Sequence, residues 1–294
     1  SGSWVTALVR DAYDRRNGAL PDGNYAIASN PEFLRQGSAV HDTLYPERIV
    51  IGADDERAID ILTNLYRPLL NQGFPAPAFL PRPEKLSAVP VVTCDLASAE
   101  LIKYAANAFL AVKISFVNEM SRLTSRVGAD ILQVTRGIGL DSRIGSRFLE
   151  AGIGWGGSCF GKDTAALLAT GKEYGLSLPI VQAARQVNYE QRTWVVDTLL
   201  HELKILKGRT ITLLGFAFKE NTDDLRDAPS LDIARQLIRQ GARVNATDPV
   251  ALGNARRLYP DLGVSYHADP LAALVRPPAG VAWTDGLAIA LLVD

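Results

Sequence analysis

One helical pattern dominates the sequence. It runs from residue 96 to residue 127, with Ser98 and Glu100 near its start and Gly128 at its end. Strand-bearing chain lies on both sides. Upstream, residues 5–16 repeat apolar residues at helical spacing (Val5, Leu8, Val9, Ala12, Tyr13). Tyr25–Ala28 reads as a short strand broken by Asn30-Pro31, and Arg48–Gly52 as a second, with Asp54 capping a helix over 55–70. Residues 71–90 are proline-rich and read as irregular, with one strand near Ala78–Leu80. Downstream, 130–137 is a shorter helix, Arg143–Gly161 a glycine-rich loop, Asp163–Tyr174 a helix, and Pro179 to about His201 another long one. At Gly208 the rhythm changes. Arg209–Gly215 reads as a buried strand, Ser230–Gln240 as an amphipathic helix, Ala242–Asp248 as a second strand, and 287–293 as a terminal strand.

This order predicts an α/β fold in three parts. Residues 1–94 form a partial Rossmann-like domain. Residues 95–204 form a central all-α domain that links or dimerises. Residues 205–294 form a second Rossmann-like domain, and both ends of the chain read as truncated.

Bulk properties narrow the function. Length alone, 294 residues, suggests two domains, and 31 basic against 32 acidic residues leave no global footprint for nucleic acid or an anionic membrane. No apolar run reaches membrane-spanning length and no signal peptide is visible. The two cysteines, Cys94 and Cys159, stand in unlike contexts, which argues against a disulfide framework and fits a reducing cytoplasm.

The strongest local signal is Gly154-Trp155-Gly156-Gly157-Ser158-Cys159-Phe160-Gly161-Lys162-Asp163. Glycines let backbone approach a ligand, and the loop feeds a helix start, where unpaired N–H groups favour a thiolate or an oxyanion. A small buried thiol in a tight turn is the plainer alternative, but Lys162 and Asp163 tip the reading toward a nucleophile. That nucleophile would lack a histidine base: His41, His201 and His267 have no recognisable Cys–His context. On the long helix, Lys103 and Asn107 share a face among apolar neighbours and could donate to an oxyanion; a snorkelling lysine beside a packing asparagine explains the pair equally well. Asn30-Pro31-Glu32-Phe33-Leu34 follows a strand, where a carboxylate can serve as a base, although a polar turn is the simpler view. Gly215-Phe216-Ala217-Phe218-Lys219, leading to Arg226, occupies the position of a phosphate-binding turn, with cations suited to phosphate. It is not G-x-G-x-x-G, and that fingerprint occurs nowhere in the chain.

In this order, the four segments resemble the UDP-glucose/GDP-mannose dehydrogenase family, from about Thr6 to Asp294. Asn107–Ala111, Ile114–Glu119 and Arg143-Ile144-Gly145 leading to Phe148-Leu149 look like its UDP-glucose branch. The resemblance implies oxidation of UDP-glucose to UDP-glucuronate by two hydride transfers to NAD+, through a thiohemiacetal and thioester on Cys159. It implies oxyanion stabilisation by Lys103 and Asn107, and proton handling by Glu32 and Asp163. It assigns substrate binding to Phe33, Leu34, Gly152, Gly156, Gly157, Phe218 and Lys219, and to Arg143 reaching a partner subunit's site. It assigns cofactor contact to Lys162 and Arg226. Its expected partners are UDP-glucose and further copies of the chain, with no metal.

The sequence also departs from the family pattern. The glycine-rich fingerprint, its acidic ribose-binding residue and the Ser-Thr-Val-Pro motif are absent. Glu150 stands where relatives often carry a basic residue. The chain as given is therefore expected to bind NAD poorly. GDP-mannose or UDP-N-acetylhexosamine oxidation, or a non-catalytic sugar-nucleotide-binding module, remain open alternatives. A cysteine acyltransferase is disfavoured by the missing histidine.

Overall fold

A computed structural model describes residues 2–18, 25–274 and 290–292. The chain divides into two compact units, Ser1–Ala106 and Asn107–Asp294.

The first unit opens with α1 (Gly2–Asn17), β1 (Ala28–Ser29), α2 (Ala39–Leu44), β2 (Ile49–Ala53), α3 (Glu56–Leu70) and β3 (Val91–Cys94), and ends in the first turns of α4 (Leu96–Val127). Its sheet order is β1-β2-β3. Strand β2 is buried along its whole length, as an apolar Ile-Val-Ile run in the middle of a sheet should be. Ile49 and Ile51 pack with Leu70 and Val89, and the apolar side of α3 (Ile59, Leu62, Tyr66, Leu69) closes over them.

Several expectations are corrected here. The strand expected at Tyr25–Ala28 is two residues long and runs antiparallel to β2, with Ala28 opposite Ala53 and Ser29 opposite Gly52. The Asn30 side chain ends the ladder by donating to the Val50 carbonyl at 2.7 Å. Asp55, rather than Asp54, caps α3, its carboxylate accepting from Arg57 N–H at 2.9 Å. No strand forms at Ala78–Leu80. Leu80 N–H closes a turn on Pro77, and the Leu80 carbonyl accepts from the Tyr45 hydroxyl at 2.8 Å instead of from a ladder partner. The parallel partner of β2 is β3, four residues directly after the proline-rich stretch, to which the sequence reading assigns no element.

The second unit continues α4 and adds α5 (Ile131–Gly139), α6 (Phe160–Glu173) and α7 (Pro179–Leu203), close to expectation. Asp130 caps α5. Then come β4 (Thr210–Leu214), α8 (Pro229–Arg239), β5 (Arg243–Thr247), α9 (Leu252–Leu258), β6 (Val264–Tyr266), α10 (Pro270–Ala273) and β7 (Ala290–Leu292). The sheet order is β6-β5-β4-β7 and every pairing is parallel. Of the expected terminal strand, 290–292 is β7; residues 287–289 and 293 lie outside the described residues. The core joins Ile211 and Leu213 of β4, Leu231, Ile233 and Leu237 of α8, and Val195, Val196 and Leu199 from the end of α7. The α9–β6–α10 run was not anticipated, because each piece is too short to show a period. No helix among the described residues is long and apolar enough to cross a membrane.

Asp248, just past β5, organises the rim of this sheet at the C-terminal ends of β4 and β5. One carboxylate oxygen accepts from Phe216 and Ala217 N–H at 2.8 and 3.0 Å, and the other from Val250 and Ala251 N–H at 2.8 and 2.7 Å. Burial on its own would raise the carboxyl pKa, but these four donors outweigh it and hold the pKa below its ordinary value.

Two stability predictions follow from these contacts. A Cβ on Gly52 would lie 2.3 Å from Ala99 Cβ and 2.7 Å from the Asp95 carbonyl, so Gly52→Ala overpacks the seam between β2 and α4. We expect a loss of about 1–3 kcal/mol in urea unfolding. Asp248→Asn strands paired donors and should cost about 1–3 kcal/mol at neutral pH. The folded pKa is the lower one, so this stability exists above the unfolded pKa of about 3.9 and fades as pH falls through the folded value. Native and variant stabilities should converge in acid; a gap that persists there would contradict the assignment.

Candidate active site

In the second unit the thiol sits where the glycine-rich loop becomes a helix. Cys159 is the N-cap residue of α6 and is half-buried, its Sγ 3.7 Å from Ser158 Oγ. In the first turn of α6, Asp163 is 1% exposed. Its carboxylate accepts from Asn107 Nδ2 at 2.6 Å and from Lys162 Nζ, so a buried negative charge is matched by a cation and an amide. The helix start, the thiol, the Lys162 ammonium and the Asp163 carboxylate thus lie within one turn of chain. Arg226 is held by Asp224, whose hydrogen bonds raise its pKa. The Arg226 carbonyl accepts from Gly157 N–H at 2.9 Å, which ties this residue to the loop that carries the thiol.

The glycines of the loop answer to close packing. Gly154 has φ of +111° and Gly157 of +82°, and a Cβ on Gly156 would lie 2.3 Å from the Asp227 carbonyl. A Cβ on Gly157 would lie 2.7 Å from the Phe218 ring, which brings Phe218 against the loop. Lys219 Nζ lies 5.8 Å from the same ring centroid. Gly152 N–H donates to Asn118 Oδ1 at 2.8 Å.

Side chains that sequence reasoning missed hold this loop. Trp155 N–H donates to Asn188 Oδ1 at 2.7 Å, and Asn188 Nδ2 returns a bond to the Trp155 carbonyl at 2.9 Å. Gln191 donates to the Gly152 carbonyl at 2.8 Å, and Trp155 Nε1 to Ser115 Oγ at 3.0 Å. The signal that could have found them is Asn188, Gln191 and Arg192 at the positions where α7 otherwise buries Ala184, Val195, Val196 and Leu199.

In the first unit Lys103 Nζ donates to the Glu32 backbone carbonyl at 2.5 Å and lies 3.4 Å from Glu32 Oε1. The lysine side chain is 16% exposed and that of Glu32 60%. Arg48 Cζ lies 3.9 Å and Lys103 Nζ 5.3 Å from the Phe33 ring centroid. Leu34 is exposed and its N–H donates to Glu32 Oε2 at 2.7 Å. The segment is anchored by Asp42, also unforeseen, which accepts from Arg35 N–H at 2.8 Å and from its guanidinium. Burial would raise the Asp42 pKa, but Arg35 holds it down at about 2.

Lys103 and Asn107 stand one turn apart on α4. The expected residues thus fall into two clusters: Glu32, Phe33 and Lys103 in one unit, and Asn107, Cys159, Lys162 and Asp163 in the other. Arg143 is in neither: its side chain is 86% exposed and pairs with Asp141.

Comparison with known proteins gives three family matches in chain order. They are the NAD binding domain of the UDP-glucose/GDP-mannose dehydrogenase family over residues 2–70, its central domain over 97–190, and its UDP binding domain over 212–286. UDP-glucose 6-dehydrogenase TuaD of Bacillus subtilis is 46% identical over 285 residues, covering 97% of this chain and 56% of that protein. UDP-glucose 6-dehydrogenase AglM of Haloferax volcanii is 43% identical over 269 residues, covering 91% and 59%. The solved UDP-glucose dehydrogenase of Pyrobaculum islandicum superposes with a TM-score of 0.79 at 41% identity, covering 90% of this chain and 56% of that one. The chain spans about half the length of the curated relatives it matches. With all three domains of one family matched in sequence and the fold shared with a solved member, the chain belongs to the UDP-glucose/GDP-mannose dehydrogenase family.

Proposed function

We propose that the protein to which this chain belongs oxidises the C6 alcohol of UDP-glucose to the carboxylate of UDP-glucuronate, with Cys159 as the covalent nucleophile. The observation that carries the reading is the half-buried thiol at the N-terminus of α6, with Asp163 of the next turn bonded to Lys162 and to Asn107 of α4. The relatives named UDP-glucose 6-dehydrogenase support the choice of substrate.

In this reading the Cys159 thiolate, favoured by the helix N-terminus, adds to the C6 aldehyde and forms a C–S bond. The alkoxide that results needs donors. Lys103 supplies an ammonium, and Asn107 Nδ2 has a second hydrogen besides the one given to Asp163. After the second oxidation C6 is a thioester. Water attacks it, the C–S bond breaks, and the thiolate departs as the carboxylate forms. Glu32, more exposed, and Asp163, buried and charge-matched, take the protons. Phe33, Leu34, Gly152, Gly156, Gly157, Phe218 and Lys219 would line the sugar-nucleotide site, and Arg143 would reach that of a second copy in a homo-oligomer. We retain the division into an NAD-binding domain to residue 94, a central domain to 204 and a UDP-sugar domain beyond, and a reducing cytoplasmic setting that keeps the thiol active.

NAD, when bound, supplies the hydride acceptor. The chain fits it at one end: Lys162 and Arg226 each have side chains 65% exposed and offer positive charge beside Cys159. No strand-to-helix turn among the described residues of the first unit carries a G-x-G-x-x-G cradle, so no step at the dinucleotide phosphates is assigned to this chain. For the 294-residue polypeptide itself we expect a thermal shift with UDP-glucose and weak NAD binding.

In the full-length enzyme, Cys159→Ser should lower UDP-glucuronate formation by on the order of 10³-fold or more while leaving UDP-glucose binding in place. UDP-glucuronate formed at the native rate by that variant would sink the nucleophile assignment. No turnover of UDP-glucose by the native full-length protein would leave a non-catalytic binding module as the better reading.

A further inference from the structure

We propose that Arg192 is a positioning residue for the reactive thiol: its buried guanidinium clamps the glycine-rich loop before Cys159 to the segment that enters α8. This rests on the functional reading above and adds to it a residue with no chemistry of its own in the reaction.

Arg192 lies in the middle of α7 and is 1% exposed, one of the largest fully buried side chains in the protein. One end of its fork, Nη2, donates to the Trp155 carbonyl at 3.0 Å and toward the Asp227 carbonyl at 3.3 Å. The other, Nη1, donates to Asp227 Oδ1 at 2.9 Å and to Asp232. A single planar group therefore joins three pieces of chain: the loop at 155, the turn at 227 and the first turn of α8. The same seam is closed by Gly157 N–H donating to the Arg226 carbonyl at 2.9 Å, and by Gly156, whose missing Cβ is what lets the Asp227 carbonyl approach. Asp227 itself has φ of +49°, a conformation costly for a non-glycine residue and maintained here by these contacts.

Stability alone does not account for the arrangement. A buried ion pair is a weak stabiliser, and apolar residues of similar volume commonly pack as well. What an apolar side chain cannot do is fix the direction of the Trp155 carbonyl, four residues before the thiol, relative to a turn whose neighbour Arg226 is bonded to Gly157 of the same loop. Nor can lysine: a compact ammonium lacks the rigid fork that spans both sides.

The test uses the chain as it stands, with Cys94 as the internal reference. Native protein, Arg192→Lys and Asp232→Asn are treated with iodoacetamide, and modification of each cysteine is followed by peptide mass spectrometry beside a thermal melt. Cys159 should react about tenfold faster in either folded variant, the effect of losing one charge-assisted bond of about 1.4 kcal/mol, with Cys94 unchanged. Equal Cys159 rates in the native and variant proteins overturn the proposal, as does a parallel rise at Cys94, which marks general loosening. If Arg192→Lys fails to fold, Asp232→Asn decides, since its side chain is 37% exposed and tolerates an amide. The readout needs no substrate. A Cys159-selective change in a protein that does not turn over UDP-glucose would remove the function and keep the clamp.

Discussion

The Trp155 peptide carbonyl and amide, both secured by side chains of α7, fix the glycine-rich loop that leads to Cys159. A loop with glycines at 152, 154, 156 and 157 has little intrinsic preference for one shape. It acquires one because Asn188 pairs with both sides of residue 155, Arg192 takes the same carbonyl, and Gln191 takes that of Gly152. Remove the glycines and the loop collides with Asn188, Asp227 and Phe218. Remove the donors and the polar atoms of a buried loop lose their partners. Flexibility in the sequence and rigidity in the structure are reconciled by burying polar residues on a helix that otherwise packs Ala, Val and Leu.

The same economy appears at the sheet rim. Asp248 and Ser230 spend their side chains on backbone groups of the turn after β4: Asp248 accepts from two of its N–H groups and Ser230 donates to the Phe216 carbonyl at 2.5 Å. The turn that brings Phe218 against the glycine loop is thus built by tertiary contacts and not by a glycine-rich fingerprint. A carboxylate just past a second strand can serve a ribose in a dinucleotide fold. Here both of its oxygens are already committed to backbone N–H groups. In the first unit Asp42 plays a comparable part for the segment that carries Glu32 and Phe33, through Arg35.

Charge in these clusters is handled by pairing. Asp163 is almost wholly buried and is met by Lys162 and Asn107; Lys103 is largely buried and is met by the Glu32 carbonyl and, at longer range, its carboxylate. Each cluster thus pairs its ionisable group, because a charge left without a partner in a protein interior is costly.

Periodicity in the chain was enough to read α3, α4, α7, β4, α8 and β5 to within a residue or two, because amphipathic spacing and apolar runs are local properties. The candidate nucleophile stood out for the same reason: glycines, a cysteine, a lysine and an aspartate at a helix start are contiguous. What local pattern could not specify was which distant group each polar atom would meet. Asn188 and Arg192 lie 33 and 37 residues from Trp155, Asp248 lies 32 from Phe216, and Asn107 lies 56 from Asp163. The antiparallel turn of β1 and the absence of a strand at Ala78–Leu80 were settled by side chains at similar distance, Asn30 to Val50 and Tyr45 to Leu80. A hydrogen bond between remote residues leaves no periodic trace in either segment, so its partners emerge only once the chain has packed.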